Sequence, residues 1–470
     1  MDKMKNSTIG QRRSFLKKMS SGALLAGTAP SLMFGNTLQE NYQILEGRTR
    51  TYAANENIQI ATIGMGIQGF NDTRAALAVP GIKLVAVCDL YDGRLKKAKE
   101  VFGDDVATTK EYRHILERDD VDAVIIATPD HWHDRISMDA MDHGKAVYCE
   151  KPMVHHIEEG WAVIENQRKN NQVFQVGSQR VSSLTYLKAK ELYDAGAIGQ
   201  LILAETWNDR QSVLGAWNYS IPLDASAKTI DWKRFLGDAP KIDFDPIRFF
   251  RWRNYQDYGT GVAGDLFVHL FSGLHLVTGS SGPSKMYTTG GLRYWKDGRD
   301  VPDVMIGCYD YPESEKHPAF NVQIRVNFID GGGGGGRIRL VGSEGVMNVG
   351  DSSVTVTKSK MPDQPGYDGW DSFATFDKAN QQEFEKWYKN KYPQKPIDVK
   401  ESGAMEFRVD NGYSDHVDHF ANFFHSIRTG STVVEDAVFG FRAAAAALGA
   451  NKSYFEKKII LWDPEAMKFV

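Results

Sequence analysis

The sequence predicts an α/β fold in two parts: an N-terminal doubly wound parallel sheet, then an α+β region with a large open, mostly antiparallel sheet. Three observations carry this. Between residues 58 and 176, short apolar runs alternate with helical stretches, the pattern of parallel strands joined by crossover helices. Beyond Gly177, six strand-like runs follow with few helices between them, the order of an antiparallel sheet. A chain of 470 residues with 42% hydrophobic content is long enough for more than one core.

The chain opens with Arg12-Arg13-Ser14-Phe15-Leu16-Lys17-Lys18, a twin-arginine pattern, followed by a weakly apolar, Gly/Ala/Ser-rich stretch over 19–34. Residues 1–35 are therefore expected to be a twin-arginine signal peptide and 36–57 a linker, making the mature protein periplasmic. The alternative is an ordinary basic arm. No cysteine follows the apolar stretch, so no lipoprotein anchor is expected.

The first strand, from Ile58, runs into Gly64-Met65-Gly66-Ile67-Gln68-Gly69. Glycines at 64, 66 and 69 fit a dinucleotide-binding turn, which needs a tight bend, close backbone approach to a pyrophosphate and close helix–strand packing. A helix over 71–79 and a strand over 82–88 follow, ending in Asp89, 20 residues beyond Gly69. That is where an acid bonds the ribose 2′-hydroxyl, so NAD is expected over NADP, although Arg94 nearby is able to accept a 2′-phosphate. The competing reading of Asp89 is a cap for the helix at 92–102.

Helices over 111–118, 131–143 and 157–170 and strands over 121–127, 145–149 and 172–176 complete the first region, 58–178. Ligands of such sheets sit beyond the strands' carboxyl ends. There lie Thr128, Pro129 and His133, then Glu150-Lys151-Pro152, then Gln179 and Arg180. With Ile67 and Gln68, the residues Thr128, Pro129, His133, Glu150, Lys151 and Gln179 are expected beside the cofactor, and Trp132 and Arg180 beside the substrate.

The second region, 179–410, holds a helix over 184–195 and strands over 200–207, 285–292, 303–309, 319–328, 337–341 and 345–349. A Trp/Tyr/Arg-rich insertion occupies 208–260 and a helix 262–278. The six glycines at 331–336 read as a hairpin connection, and 361–402 as a loop with a helix over 380–390. Helices over 416–430 and 435–454, in the region 411–470, are expected to brace the two parts.

A net charge of −4 gives no basic footprint for nucleic acid. Three cysteines (88, 149, 308) build no disulfide framework, and no apolar run is long enough to span a membrane, so stable membrane insertion is not expected.

Lys151 stands at the mouth of the crevice, and Asp265 and His269, four apart, share one helical face. A lysine polarises or protonates a carbinol oxygen, a histidine titrating near neutrality accepts its proton, and an aspartate orients either. The bland alternatives are an exposed lysine, a helix-capping aspartate and a buried, satisfied histidine. His131-Trp132-His133, His155-His156 and the pair His416/His419 invite a metal reading, but none has zinc spacing with cysteine, and no metal is expected. Trp207, Asn208, Arg210, Trp217, Trp252 and Tyr258 are candidates for stacking on and hydrogen-bonding a sugar, with core packing the alternative for the aromatics.

On Gly64–Gly69, Asp89, Thr128-Pro129-Asp130-x-x-His133, Glu150-Lys151-Pro152 and Asp265-x-x-x-His269, the chain from residue 58 onward resembles the Gfo/Idh/MocA oxidoreductases. The resemblance implies a Rossmann domain, a second domain whose open sheet forms homo-oligomers, and a catalytic group of Lys151, Asp265 and His269. It implies pyranose, inositol or polyol substrates. Asp130 replaces a common Asn, and the long insertion and export signal depart from cytosolic members. Two activities fit: an NAD-dependent oxidoreductase on a sugar, glycoside or polyol with tightly held NAD, or a glycosidase that oxidises, eliminates the aglycone, adds water and reduces again. A non-catalytic nucleotide-dependent binding protein is the third reading.

Overall fold

A computed structural model describes residues 57–359, 361–362, 364–367, 369–393 and 404–470. The expected signal (1–35) lies outside the described residues, as does all of the expected linker except Asn57.

The first sheet has six parallel strands in the order β3-β2-β1-β4-β5-β6. They are β1 (Ile58–Ile63), β2 (Ile82–Cys88), β3 (Ala107–Thr109), β4 (Ala123–Ile126), β5 (Ala146–Glu150) and β6 (Phe174–Gly177). The crossovers are α1 (Ile67–Leu77), α2 (Asp92–Phe102), the short α3 (Arg113–Leu116), α4 (His133–Asp142) and α5 (Gly160–Asn170). Strand order reverses direction at β1/β4, the crevice position for a ligand. Helix α1 begins at Ile67, earlier than the 71 expected, because its first turn is made of glycine-turn residues with no apolar period. Strand β3 was not expected; three half-buried Ala/Thr residues give too little pattern.

After α6 (Leu184–Asp194) comes a ten-stranded sheet in the order β14-β13-β12-β11-β7-β10-β9-β8-β15-β16. Its central strands are β7 (Leu201–Asp209), β8 (Lys285–Gly291), β9 (Val304–Tyr311), β10 (Phe320–Asn327), β11 (Gly335–Gly342) and β12 (Gly345–Val349). All pairs are antiparallel except β7 with β10. That parallel pair corrects the hairpin reading of glycines 331–336: β7 lies between β10 and β11, so the glycine loop crosses over its end. Strands β13 (Ser353–Lys358), β14 (Ala404–Arg408), β15 (Ile460–Asp463) and β16 (Lys468–Phe469) extend the edges and were not expected; they are short, polar or half-exposed. Burial alternates strictly along β10, with Phe320, Val322, Ile324 and Val326 inward.

The insertion carries α7 (Trp232–Leu236) and α8 (Pro246–Phe250), and α9 (Val268–Thr278) follows it. The 361–393 region holds α10 (Lys378–Lys391), and the C-terminal helices are α11 (Asp415–Thr429) and α12 (Ala437–Glu456). Helices α6, α9 and α12 pack on one face of the large sheet. Helix α11 packs Phe420, Phe423 and Phe424 into the apolar cluster of the parallel sheet, where Phe420 stacks on Tyr148 at 4.2 Å. Stacking of that kind is worth about 0.5–1.5 kcal/mol beyond the area it buries. The backbone N–H of Val176 donates to Glu435, just ahead of α12, so both C-terminal helices hold β6 in place.

Candidate active site

The glycine turn follows from close approach. Gly64 has φ +95°, and a Cβ there would stand 2.5 Å from the Ala127 carbonyl oxygen. A Cβ on Gly69 would meet the Gly64 carbonyl oxygen at 1.9 Å, so helix and strand pack through that hydrogen. Gly69→Ala is expected to force the turn apart, cost about 1–3 kcal/mol or more by overpacking, and abolish nucleotide binding. Thermal denaturation and NAD titration measure both effects, and unchanged NAD affinity would contradict this account of the turn. Gly66 differs: its nearest neighbour is the Arg94 guanidinium at 3.9 Å, so no protein atom demands a glycine there. The space in front of it is the cleft, and α1 begins there with no side-chain cap and no acidic residue in its first turn. Free N–H groups and an open approach are what a pyrophosphate needs. The residues fit a dinucleotide.

Asp89, buried at the end of β2, accepts from the backbone N–H groups of Met65 (2.7 Å) and Tyr91 (2.9 Å) and lines the same cleft. It therefore ties the glycine turn to the start of α2 while its carboxylate edges the ribose position. Arg94 reaches it at 3.4 Å and stacks on Phe249 and Phe250. Thr128 and Pro129 form the opposite wall.

The insertion roofs this cleft with Tyr219, Arg234, Phe235, Phe249, Phe250 and Trp252. It is tied down along the whole cofactor edge. Asp92 N–H donates to Thr229 O and Asp231 N–H to Leu90 O, both at 3.0 Å. Trp132 Nε1–H donates to Phe235 O at 3.0 Å, and Arg234 pairs with Glu111 at 3.1 Å. Asp130 accepts from both the N–H and the hydroxyl of Thr260, holding the loop after β4 to the insertion's end.

A second pocket shares Ile67, Gln68, Tyr219 and Arg253 with the cleft and therefore opens onto it. Lys151 follows β5, its peptide to Pro152 is cis, and its side chain is buried. Its ammonium donates to Asp265 Oδ1 (2.7 Å) and to the Asp265 carbonyl (3.0 Å). Arg253 Nε–H donates to the same Oδ1 at 3.1 Å and lies over the Trp252 ring. The two cations hold the Asp265 carboxyl far below the usual range against the opposing effect of burial. His269 lines the pocket, with Nδ1 buried and without a hydrogen-bond partner. Burial, then the charges of Lys151 and Arg180, push it well below an ordinary histidine, so it is neutral at pH 7. Beneath lies Glu150, buried, accepting from Gln179 (2.7 Å) and Gln68 (3.3 Å), its carboxyl raised chiefly by burial.

The structure corrects several expectations. Asp265 and His269 do not lie on one regular helix: Asp265 belongs to a π-helical turn, Ala263–Phe267, ahead of α9. The wider turn directs the carboxylate to Lys151 and Arg253, so no hydrogen bond from Asp265 orients His269. His133 lines neither cavity; its two ring nitrogens face the Pro152 and Thr128 carbonyls at 2.7 and 3.0 Å, bracing the loops that carry Lys151 and the cofactor wall. Trp132 and Trp252 line the nucleotide cleft and not the substrate pocket. Tyr258 is fully buried among Trp232, Phe235 and Tyr255, so the core-packing alternative holds for it. Trp207 sits on the sheet between Arg325 and Arg337, outside both cavities.

Arg180, Asn208, Arg210 and Trp217 do line the second pocket. His419 is taken out of any metal reading by its own bonds, Nδ1 to Ser182 Oγ and Nε2 to Val176 O, both 2.8 Å. No group of three or more His, Cys, Asp or Glu among the described residues is placed to hold a metal. Sequence reasoning missed Arg253, Tyr219 and the wall formed by Asp351, Tyr413 and Asp415. The run Arg251-Trp252-Arg253 gave an aromatic–basic signal for the first, whereas the wall comes from loops distant in sequence.

Residues 58–178 match the GFO_IDH_MocA family, described as an oxidoreductase family with an NAD-binding Rossmann fold. This region thus matches the family's NAD-binding Rossmann domain in sequence and has the strand order of such a fold. The scyllo-inositol 2-dehydrogenase (NAD(+)) of Bacillus subtilis (strain 168) is 34% identical over 184 residues, 38% of this chain and 54% of its own length. The alpha-N-acetylgalactosaminidase of Shewanella oneidensis is 30% identical over 175 residues, 34% of this chain and 37% of its own. The chain thus spans about half the length, or less, of these curated relatives. A levoglucosan dehydrogenase structure, in complex with NADH and levoglucosan, shares the fold with TM-score 0.61 at 17% identity, covering 86% of this chain and 99% of that one.

Proposed function

We propose that the protein is an NAD-dependent oxidoreductase moving a hydride between a secondary alcohol of a sugar, polyol or glycoside and the nicotinamide. The observation that carries this is the Lys151–Asp265–Arg253 cluster beside a neutral His269, in a pocket opening onto the nucleotide cleft. The inositol dehydrogenase relatives support the substrate class.

When bound, NAD supplies the hydride acceptor. Among the described residues, Lys151 makes hydrogen bonds to Asp265 alone, two of them, so its remaining N–H donor is free for the substrate oxygen. Asp265 fixes that ammonium, and Arg253 fixes Asp265. His269 then takes the hydroxyl proton as the C–H bond breaks. A base must be unprotonated to act, and the His269 ring is neutral down to well below pH 6.5. The pH profile of kcat/KM is therefore expected to stay flat from pH 8 down through 6.5 and to fall only in more acidic buffer, where His269 gains its proton. An acid limb centred at pH 6.5 would exclude a depressed His269 as the base.

The roof over the cleft goes with a tightly held nucleotide that is recycled in place. Such a cofactor suits periplasmic placement through a twin-arginine signal at 1–35, and homo-oligomers through the large sheet complete the reading. The galactosaminidase relative and the enclosed cleft favour one second reading, a glycosidase using the hydride step transiently. The experiment is mass spectrometry of the nucleotide that co-purifies, then a glycoside series followed at the NADH absorbance. Bound NAD that an alcohol substrate reduces, with NADH accumulating up to one per site, supports the dehydrogenase. Aglycone release without net NADH selects the glycosidase, and nucleotide-free protein that binds no added NAD removes both.

A further inference from the structure

We infer that the pocket beside His269 takes a substrate bearing a carboxylate, a sugar acid or its glycoside, and that Arg210 selects it; this rests on the hydride-transfer reading above. Three cations converge on the inner end of the pocket around one ionised carboxylate. Lys151 and Arg253 are both bonded to Asp265 Oδ1. Arg210 lines the same space, and its charge acts on both Asp265 and His269.

Arg210 has no carboxylate of the described residues within ion-pair distance; its NH1 donates to the Gly215 carbonyl at 3.0 Å. Its backbone N–H donates to Asn327 O at 2.8 Å, and its guanidinium lies over the Phe328 ring. The side chain is thus held in place while most of its N–H donors remain for a guest. Arg180 is different: it reaches Asp351 at 3.4 Å and the Tyr186 hydroxyl at 3.3 Å, so the outer end of the pocket is balanced. Arg210 is half-buried in the pocket wall and pairs with no carboxylate of the described residues there, so a substrate carboxylate is able to meet it in a bidentate, charge-assisted pair. An alkoxide developing during the reaction would not, since that charge is transient and Lys151 already faces it.

The test pairs methyl β-D-glucuronide with methyl β-D-glucoside, and methyl β-D-galacturonide with methyl β-D-galactoside, on the NAD-loaded protein. The rate of nicotinamide reduction and the dissociation constant by calorimetry are read for each. Within at least one pair the acid is expected to be preferred at least tenfold in kcat/KM. Arg210→Gln should bring that ratio near one, and Arg210→Lys should keep most of it. Folding of each variant is checked by its bound NAD. Reduction by the neutral partners with ratios at or below one overturns the inference and leaves the hydride reading standing. No reduction by any of the four, with NAD bound, overturns both.

Discussion

Lys151→Ala is expected to lower kcat by about 10²–10⁴-fold, the range for loss of a positioned proton or hydrogen-bond donor in the transition state, while NAD affinity changes little. The ammonium has a donor left for the substrate oxygen, and the nucleotide cleft is lined without it. Folding should survive, because Asp265 keeps Arg253 as a partner at 3.1 Å when Lys151 is gone. The kinetic split is diagnostic: an interaction made only in the transition state lowers kcat and kcat/KM together. His269→Ala should give a loss of similar size with a changed acid limb. If the wild-type protein itself showed no turnover, and both variants kept whatever function it shows in a binding assay, the non-catalytic reading would replace catalysis.

The two halves of the chain differ in how plainly they could be read. Strands β1, β2, β4 and β5 are buried on both faces, so each is a continuous apolar run, and the glycines and Asp89 fall at fixed offsets from them. That local grammar places the nucleotide. The catalytic pocket depends on long-range geometry. Lys151 and Asp265 meet across 114 residues, and Arg253 joins them from a segment without regular strands. The i, i+4 spacing of Asp265 and His269 suggested one helical face, and a π-helical turn broke it. Such turns insert an extra residue without any mark in the apolar period, and they recur at functional sites. The aromatics of the insertion were visible as a composition but not as a place. Phe249, Phe250 and Trp252 line the cleft, while Tyr258 is buried in the aromatic cluster they share. Only the ties of the insertion to α2 and to the loop after β4 decide which is which.

Asp265→Asn should be the more damaging change to the fold. The Lys151 and Asp265 side chains are each 8% exposed, so their pairing is not screened by water. Removing one member of a buried pair typically costs about 3–5 kcal/mol, because the remaining charge stays desolvated without its partner. Here two cations would remain, converging on one neutral amide oxygen, and their repulsion adds to that loss. Lys151→Ala leaves a carboxylate with a guanidinium, whereas Asp265→Asn leaves an ammonium beside a guanidinium. The expected order of stability in urea denaturation is therefore wild type, then Lys151→Ala, then Asp265→Asn, with the last step the largest. Activity should vanish in Asp265→Asn even where the protein is folded, since the ammonium loses the group that fixes it. The double variant Lys151→Met with Asp265→Asn removes the repulsion and should recover part of the stability but none of the turnover. Equal stability of Asp265→Asn and wild type would mean that the three-way contact contributes nothing to folding.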